Sequence, residues 1–251
     1  MSEITREEVE AHFTARAERY DRSSSWVTDP GLRDRAWRLL SPAATDEVLD
    51  VACGTGLVSE WFKGRVARVV GADITEAMFD QARERLDELV VTPAESLPQG
   101  DGSFDIVICR QGTQFMDDAA AIGEMVRVLR PGGRVCIINL CAYGASDRDE
   151  YFEILRLRNP ARRNFYLRED LHRLLEEAGA TDVQVHDYVS IEDVDAWSDH
   201  GAIEEARREG IRSVYRGASA AFQRVHAVST DDGARFVDHM LFGIAIGVKP
   251  A

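Results

Sequence analysis

Nowhere in its 251 residues does the sequence hold an apolar run of the roughly 18 residues that a membrane-crossing helix needs. Its opening, MSEITREEVEAHF, lacks the apolar block of a secretory signal, so a cytoplasmic location and no membrane partner are expected. Cysteine is scarce. Cys53, Cys109, Cys136 and Cys141 show neither paired metal spacing nor the density of a disulfide scaffold, and three lie in apolar runs, which suits reduced core residues. The six histidines include no H-E-x-x-H or comparable ligand pattern, so no metal is expected. Positive charge is short as well: 30 Lys and Arg stand against 44 Asp and Glu, a net charge of -14. That balance opposes a polyanion, and "NPARRN" is the nearest thing to a basic patch, so nucleic acid is set aside in favour of a small molecule. Repeats and low-complexity linkers are absent. With 45% hydrophobic content, residues 1–251 read as a single domain with its own core.

What is present begins with two helical patterns. Val9, Phe13, Ala17 and Tyr20 recur at a spacing of three or four, and "TDPGLRD" opens a second helix with Asp29 as cap and Pro30 in its first turn. Together they form an N-terminal helical cap over 1–44. From Glu47 the pattern alternates. EVLDVA, RVVGAD, LVVT, FDIVICR and RVCIINL read as strands; LVSEWFK, TEAMFDQARERLDE and DDAAAIGEMVRVL read as helices, the last ended by Pro131, Gly132 and Gly133. LREDLHRLLEEAG adds a helix, and TDVQVHDYV and MLFGIAIGV two more strands. Short apolar strands joined by amphipathic helices imply an α/β fold: a Rossmann-like, doubly wound, seven-stranded, mostly parallel sheet. The core is expected over 45–189 and 236–251. The stretch 190–235 is too long for a hairpin loop and reads as a helical insertion between the last two strands, serving as a lid that closes on the site or as a homodimer face.

"VLDVACGTGL" carries the functional signal. It ends a buried strand on Asp50 and then spends Gly54 and Gly56 before a helix, which suits a ligand lying against bare backbone. A dinucleotide fingerprint wants a third glycine where this chain has Ser59, and the acid ahead of the turn repels pyrophosphate while suiting an ammonium group. Asp73 closes the next strand roughly 17 residues after Gly56, placed to accept both hydroxyls of a ribose. Adenosine with a cationic tail satisfies both acids.

"VLDVACGTGL", "VVGADITEAM", "AESLPQGDGSFDIVICR" and "EMVRVLRPGGRV" stand in the order and spacing of the class I S-adenosylmethionine-dependent methyltransferases, and the chain resembles most the ubiquinone/menaquinone-biosynthesis (methyltransferase type 11) kind over about residues 45 to 140. The resemblance implies S-adenosyl-L-methionine as cofactor. It places Asp50, Ala52, Gly54, Thr55 and Gly56 on the methionine and ribose side, and Asp73 on the ribose hydroxyls. It sets Ile74 and Met78 against adenine with Ala94 and Glu95 at its edge, Gln111 beside the sulfonium, and Tyr20 over the cofactor's carboxylate. Two features depart from the family: Pro93 stands where an acid often precedes the "AE" pair, and "RQGTQFMDD" replaces a histidine pair. A neutral Gln114 cannot act as a base.

Methyl transfer from a sulfonium is an in-line displacement, so the protein mainly orients the two molecules and a base matters in proportion to the acceptor. The expected acceptor is an aromatic, quinone-like or polyketide-like metabolite methylated on oxygen or carbon, with nitrogen and sulfur left open. Gln114, Phe115, Asn139, Cys141, Tyr143, Trp197, Tyr215 and His239 are its candidate contacts. His200, beside Asp199 and Gly201, is the first candidate for a base, against the blander alternative of a solvated histidine; His226 and His239 follow. Arg162 and Arg163 could meet an acidic acceptor, although a solvated loop explains them as well. Two other functions compete: a protein that keeps the cofactor as a fixed charge for cyclisation or binding, and a nicotinamide oxidoreductase, which Ser59 and Asp50 disfavour.

Overall fold

The apolar runs from residue 47 onward become the strands of one sheet in the computed structural model, which describes residues 4–22, 25–231, 233 and 235–251. Residues 1–3 and 23–24 of the expected cap and 232 and 234 of the expected insertion lie outside the described residues. The strands are β1 (Glu47–Val51), β2 (Arg68–Asp73), β3 (Glu88–Val91), β4 (Phe104–Arg110), β5 (Leu129–Leu140), β6 (Thr181–Asp193), β7 (Ser229–Asp231) and β8 (Arg235–Val248). They lie in the order β3-β2-β1-β4-β5-β8-β6, with short β7 added to β8. The strands from β3 to β5 pair in parallel, and β8 runs antiparallel to β5, β6 and β7. The order reverses between β1 and β4, and the carboxyl ends of those strands therefore frame the crevice in which such sheets bind ligands.

Both faces of the central strands are covered because β1, β2, β4 and β5 are largely apolar, whereas the edge strands β3 and β6 stay partly exposed. Val48, Ile106, Ile108 and Ile138 join one buried cluster, while Leu49, Val51, Val70 and Val107 join the other. The helices are α1 (Arg6–Thr14), α2 (Pro30–Leu40), α3 (Ser59–Phe62), α4 (Phe79–Ala82), α5 (Asp118–Arg127), α6 (Arg148–Arg158), α7 (Arg168–Glu177), α8 (Val194–Ser198), α9 (Glu205–Gly217) and α10 (Ala220–Val225). A capping box of Thr5 and Glu8 starts α1; Asp29 accepts the Gly31 N–H at 2.8 Å and starts α2.

Several expectations change. The helix expected over TEAMFDQARERLDE is a 3-10 turn (Glu76–Met78) followed by the single turn of α4. Gly56 explains the break: a Cβ there would meet Ala82 and Arg85 at 3.2 Å, so this segment is drawn tightly against the glycine turn. The expected helix before Pro131 is α5, but it stops at Arg127, and Pro131, Gly132 and Gly133 lie within β5, where a register shift opposite Phe104 and Ile106 and bonds between Gly132, Gly133 and Lys249 absorb them. Eight strands replace the expected seven because β8 extends back to Arg235 and picks up β7. Helix α6 has no counterpart in the sequence reading, since its charged residues hide a buried face of Tyr151, Ile154, Leu155 and Arg158.

Candidate active site

A cavity of 340 Å³ opens at the carboxyl ends of β1, β2 and β4, within the roughly 300–1,000 Å³ usual for small-molecule sites. Ala52 and Gly54 enter from β1; Asp73, Ile74, Thr75 and Met78 from β2; Thr92, Ala94 and Glu95 from β3; Arg110, Gln111, Gly112, Phe115 and Met116 from β4. The roof is Arg6, Glu7, Val9 and Phe13 of α1 with Tyr20 of the 3-10 turn Ala17–Arg22, and Arg163 closes one side. The face built by Val9, Phe13 and Tyr20 thus covers the cavity rather than the sheet. None of these lining residues comes from the insertion, so α1 and Tyr20 do the covering expected of a lid there.

Asp73 organises the floor. Its Oδ2 accepts the Gly54 N–H at 2.9 Å and its Oδ1 the Thr75 N–H at 2.8 Å, which ties the glycine turn to the turn after β2. Burial raises its pKa against those donors. Ala52 and Gln111 both line the cavity with left-handed backbones, φ +55° and +56°. For residues with side chains that conformation costs about 1 kcal/mol or more, and it is typical of ligand sites. Gly112 allows the two strand ends to meet, because a Cβ there would stand 2.6 Å from Ala52 Cβ and 2.7 Å from Cys109 Sγ.

Arg110 ends β4 as Asp73 ends β2, and Asp50 stands one residue before the end of β1; this repeated placing of a charge near a strand end is the signal that would have found it. Its Nη1 donates to the Val27 carbonyl at 3.0 Å and its guanidinium lies 5.2 Å and 5.3 Å from the Trp26 and Trp61 rings. Burial lowers its pKa, and among the described residues no carboxylate pairs with it. Thr92 and Met116 are further lining residues that the sequence did not single out, Val9 and Phe13 were read there only as a helix face, and Arg163, read as a possible contact of an acidic acceptor or a solvated loop residue, also lines the cavity.

Nine of the twelve expected cofactor residues line the cavity: Tyr20, Ala52, Gly54, Asp73, Ile74, Met78, Ala94, Glu95 and Gln111. Three do not. Asp50 is 1% exposed and accepts the Ser59 hydroxyl at 2.7 Å; burial drives its pKa up to about 7. Thr55 turns away to donate to Asp21 at 2.6 Å, and Gly56 serves the packing against Ala82.

Of the acceptor candidates only Phe115 lines the cavity. Gln114 is buried directly behind it, bonded to Gln111, and Asn139 is buried against Thr113 with Oδ1 unpaired. Cys141 is in the core and Tyr143 donates to the His239 carbonyl at 2.9 Å. Trp197 is fully buried beneath the Arg158 guanidinium, and Tyr215 is buried with its hydroxyl on Asp238. His200, the expected base, is 0% exposed and does not line the cavity. Its Nε2 donates to the Arg158 carbonyl at 3.0 Å and its Nδ1 accepts the Ala202 N–H at 3.4 Å. Burial, with Arg158 and Arg16 nearby, lowers it to about 2, which fixes a neutral ring that joins α6 to the insertion. His226 is likewise interior, held between Asp147 and Asp238.

Comparison with known proteins agrees with this geometry. Residues 49–137 match the Methyltransferase domain family. A demethylmenaquinone methyltransferase of Clavibacter sepedonicus is 34% identical over 141 residues, covering 52% of this chain and 57% of its own length. A protein of the same name from Mycobacterium sp. (strain JLS) is 32% identical over 207 residues, covering 80% of this chain and 83% of its own. The chain therefore spans little more than half of the first relative and most of the second. In fold it is similar to the YcgJ protein from Bacillus subtilis, with a TM-score of 0.82, 21% identity, and coverage of 89% of this chain and 100% of that one. The relatives' names do not favour the use of a cofactor purely as a fixed charge. Among the described residues no helix is long and apolar enough to cross a membrane, and no group of acidic, histidine and cysteine side chains could hold a metal ion.

Proposed function

The chain belongs to the class I S-adenosylmethionine-dependent methyltransferases of the ubiquinone/menaquinone type, and on that premise we propose that it methylates oxygen or carbon of a small molecule seated beside Gln111 and Phe115. The residues present fit the cofactor. Asp73, held by two N–H groups, keeps lone pairs for the two ribose hydroxyls. Ile74, Met78 and Ala94 make an apolar slot for a purine, and Gly54 has open space where a Cβ would stand, at φ +51°. Gln111 Nε2 is buried on the wall without a partner, and Arg110 offers a cation to a carboxylate. A pyrophosphate finds less here: α3 is one turn long, so the helix terminus that would face it is weak.

When bound, the cofactor supplies a methyl group already activated on a sulfonium. The chain's contribution is then placement, which in well-oriented cases is worth up to roughly 7–11 kcal/mol. Gln111 and Gly112 fix the wall beside the reacting atoms; Phe13, Tyr20 and Phe115 exclude water from above. Among the described residues no histidine lines the cavity, which favours acceptors that arrive ionised or release their proton to solvent. The Asp73 carboxylate bridging two turns at the cavity floor is the observation that carries this reading. The relatives' name makes a reduced demethylmenaquinone the first acceptor to offer, followed by hydroxylated aromatics. Mass spectrometry should show S-adenosylhomocysteine and a product heavier by one methylene in equal amounts. Tight cofactor binding with no S-adenosylhomocysteine from any acceptor would count against methyl transfer.

A further inference from the structure

The roof of the cavity is built from short elements. Helix α1 has nine residues and the turn Ala17–Arg22 is a 3-10 helix, so both depend on tertiary ties to stay in place. At one end of the roof Asp21 accepts the Thr55 hydroxyl at 2.6 Å and the Arg85 guanidinium at 2.8 Å. The second tie is Arg16, which stands between the helix and the turn and is 2% exposed. Its Nη1 donates to Asn159 Oδ1 at 3.3 Å, and its guanidinium lies 5.4 Å from the centre of the Phe13 ring and 5.2 Å from that of Tyr20. Both rings line the cavity.

Arg16 is poorly compensated as a charge. Burial lowers it to about 10, its Nε is buried with no partner, and among the described residues no carboxylate forms an ion pair with it. In their place it has two aromatic faces, each within the roughly 6 Å of a cation–π contact, and one amide oxygen. Asn159, which supplies that oxygen, is 3% exposed at the end of α6 and 143 residues away in the chain. The same Oδ1 lies 3.1 Å from His12 Nε2. A guanidinium can only donate, so this atom of Asn159 is the oxygen and His12 brings the proton. With burial lowering His12 to about 4, its ring is neutral and carries that proton on Nε2. One oxygen therefore gathers two roof side chains onto α6, and Ala161 just beyond shares a buried cluster with Val9 of α1 and Phe115. An apolar side chain of similar volume would fill the place of Arg16 without the cost of desolvation, so stability does not account for the charge.

We propose that Arg16 is a positioning residue for methyl transfer: anchored by Asn159, it holds Phe13 and Tyr20 over the cofactor cavity from behind. This rests on the methyltransferase reading and adds to it a residue outside the cavity lining, which acts only through the two rings. Phe13 in turn meets Phe115 edge-on at 4.9 Å, so the three rings form one cover that excludes water. Without the cation the cover loosens. The floor at Asp73 and the sheet beneath it stay as they are.

The test is calorimetric titration of the whole protein with S-adenosylhomocysteine, read beside the thermal midpoint of each variant. Arg16→Met and Asn159→Leu should each weaken binding by about tenfold. Asn159→Asp keeps the accepting oxygen and supplies a countercharge, so it should bind within about twofold of the wild type. The midpoint of Arg16→Met should hold or rise, because an apolar side chain replaces a buried cation with an open nitrogen. A merely structural residue would do the reverse, lowering the midpoint and leaving the affinity of the folded protein unchanged. In a Tyr20→Leu background the further loss from Arg16→Met should shrink below about threefold, since one of the two rings it acts through is gone. Wild-type affinity in Arg16→Met, a tenfold loss in Asn159→Asp, or an undiminished loss in the Tyr20→Leu background overturns the proposal and leaves the methyltransferase reading standing. Failure of the wild type to bind S-adenosylhomocysteine would overturn that reading itself.

Discussion

His226 makes the stability of this protein depend on pH in a window where few other groups act. Its Nδ1 donates to Asp238 at 2.8 Å and its Nε2 to Asp147 at 3.1 Å, all three side chains being 0% exposed. The Phe222 ring stacks on it at 4.0 Å, and Tyr143 and Tyr151 close the sides. The imidazolium thus ties β8, α10 and the segment leading into α6 together. Burial alone would lower its pKa, but the bonds to the two carboxylates prevail and raise it from 6.5 to about 9. At about 1.4 kcal/mol per pH unit that difference is worth about 3 kcal/mol. The folded value is the higher one, so the contribution is full below pH 6.5 and is lost as pH rises through about 9. His12 and His200 are lowered to about 4 and 2, so they act below pH 6.5, while Asp50, raised to about 7, titrates at the lower edge of this window in the wild type and the His226 variant alike. The buried cysteines, raised by burial, add a slope only above their ordinary values near 9. Urea unfolding at pH 7 and 8.5 should therefore show the wild type losing about 2 kcal/mol that His226→Gln does not lose. Equal losses in the two proteins would refute the imidazolium bridge.

Other substitutions test the site. Ser59→Ala removes the hydroxyl that Asp50 accepts at 2.7 Å and should cost about 1–3 kcal/mol, more above pH 7, where Asp50 ionises, than below it; thermal unfolding at pH 6 and 8 checks this. Gly112→Ala brings a Cβ to 2.6 Å from Ala52, so it should destabilise by about 1–3 kcal/mol and weaken S-adenosylmethionine binding in a titration. His200→Gln should lower the thermal midpoint through loss of the bond to the Arg158 carbonyl, about 1–3 kcal/mol, yet leave the pH profile of methyl transfer unchanged. A shifted profile would restore His200 to the chemistry.

The sequence disclosed the parts of the site that sit at strand ends. Ala52, Gly54, Asp73, Ile74, Ala94, Glu95 and Gln111 follow or end β1 to β4 by chain order alone, and a parallel sheet necessarily gathers those ends at one edge. Contacts across long separations were hidden. The bond between His200 and the Arg158 carbonyl joins residues 42 apart, and no local pattern in "SDHGA" announces it. Arg162 looked like a solvated charge because the carbonyl of Gln114 that pulls its loop inward lies on another element. Helix 75–88 failed for a related reason: Arg85 donates to Asp21 and to the Thr55 carbonyl, and these tertiary bonds prevail over helix propensity. Ser59 reads in the sequence only as a missing glycine. In the structure it is the partner that a buried Asp50 requires.

The central claim is that Asp73 holds a nucleoside at the cavity floor. Calorimetric titration of the wild type and Asp73→Asn with S-adenosylmethionine and S-adenosylhomocysteine tests it most directly, since the amide cannot accept from both Gly54 and Thr75. The account expects saturable binding of both ligands to the wild type and a loss of at least about tenfold in the variant, the worth of one charged hydrogen bond. Equal affinities in the two proteins, or no binding of either ligand to the wild type, would contradict it.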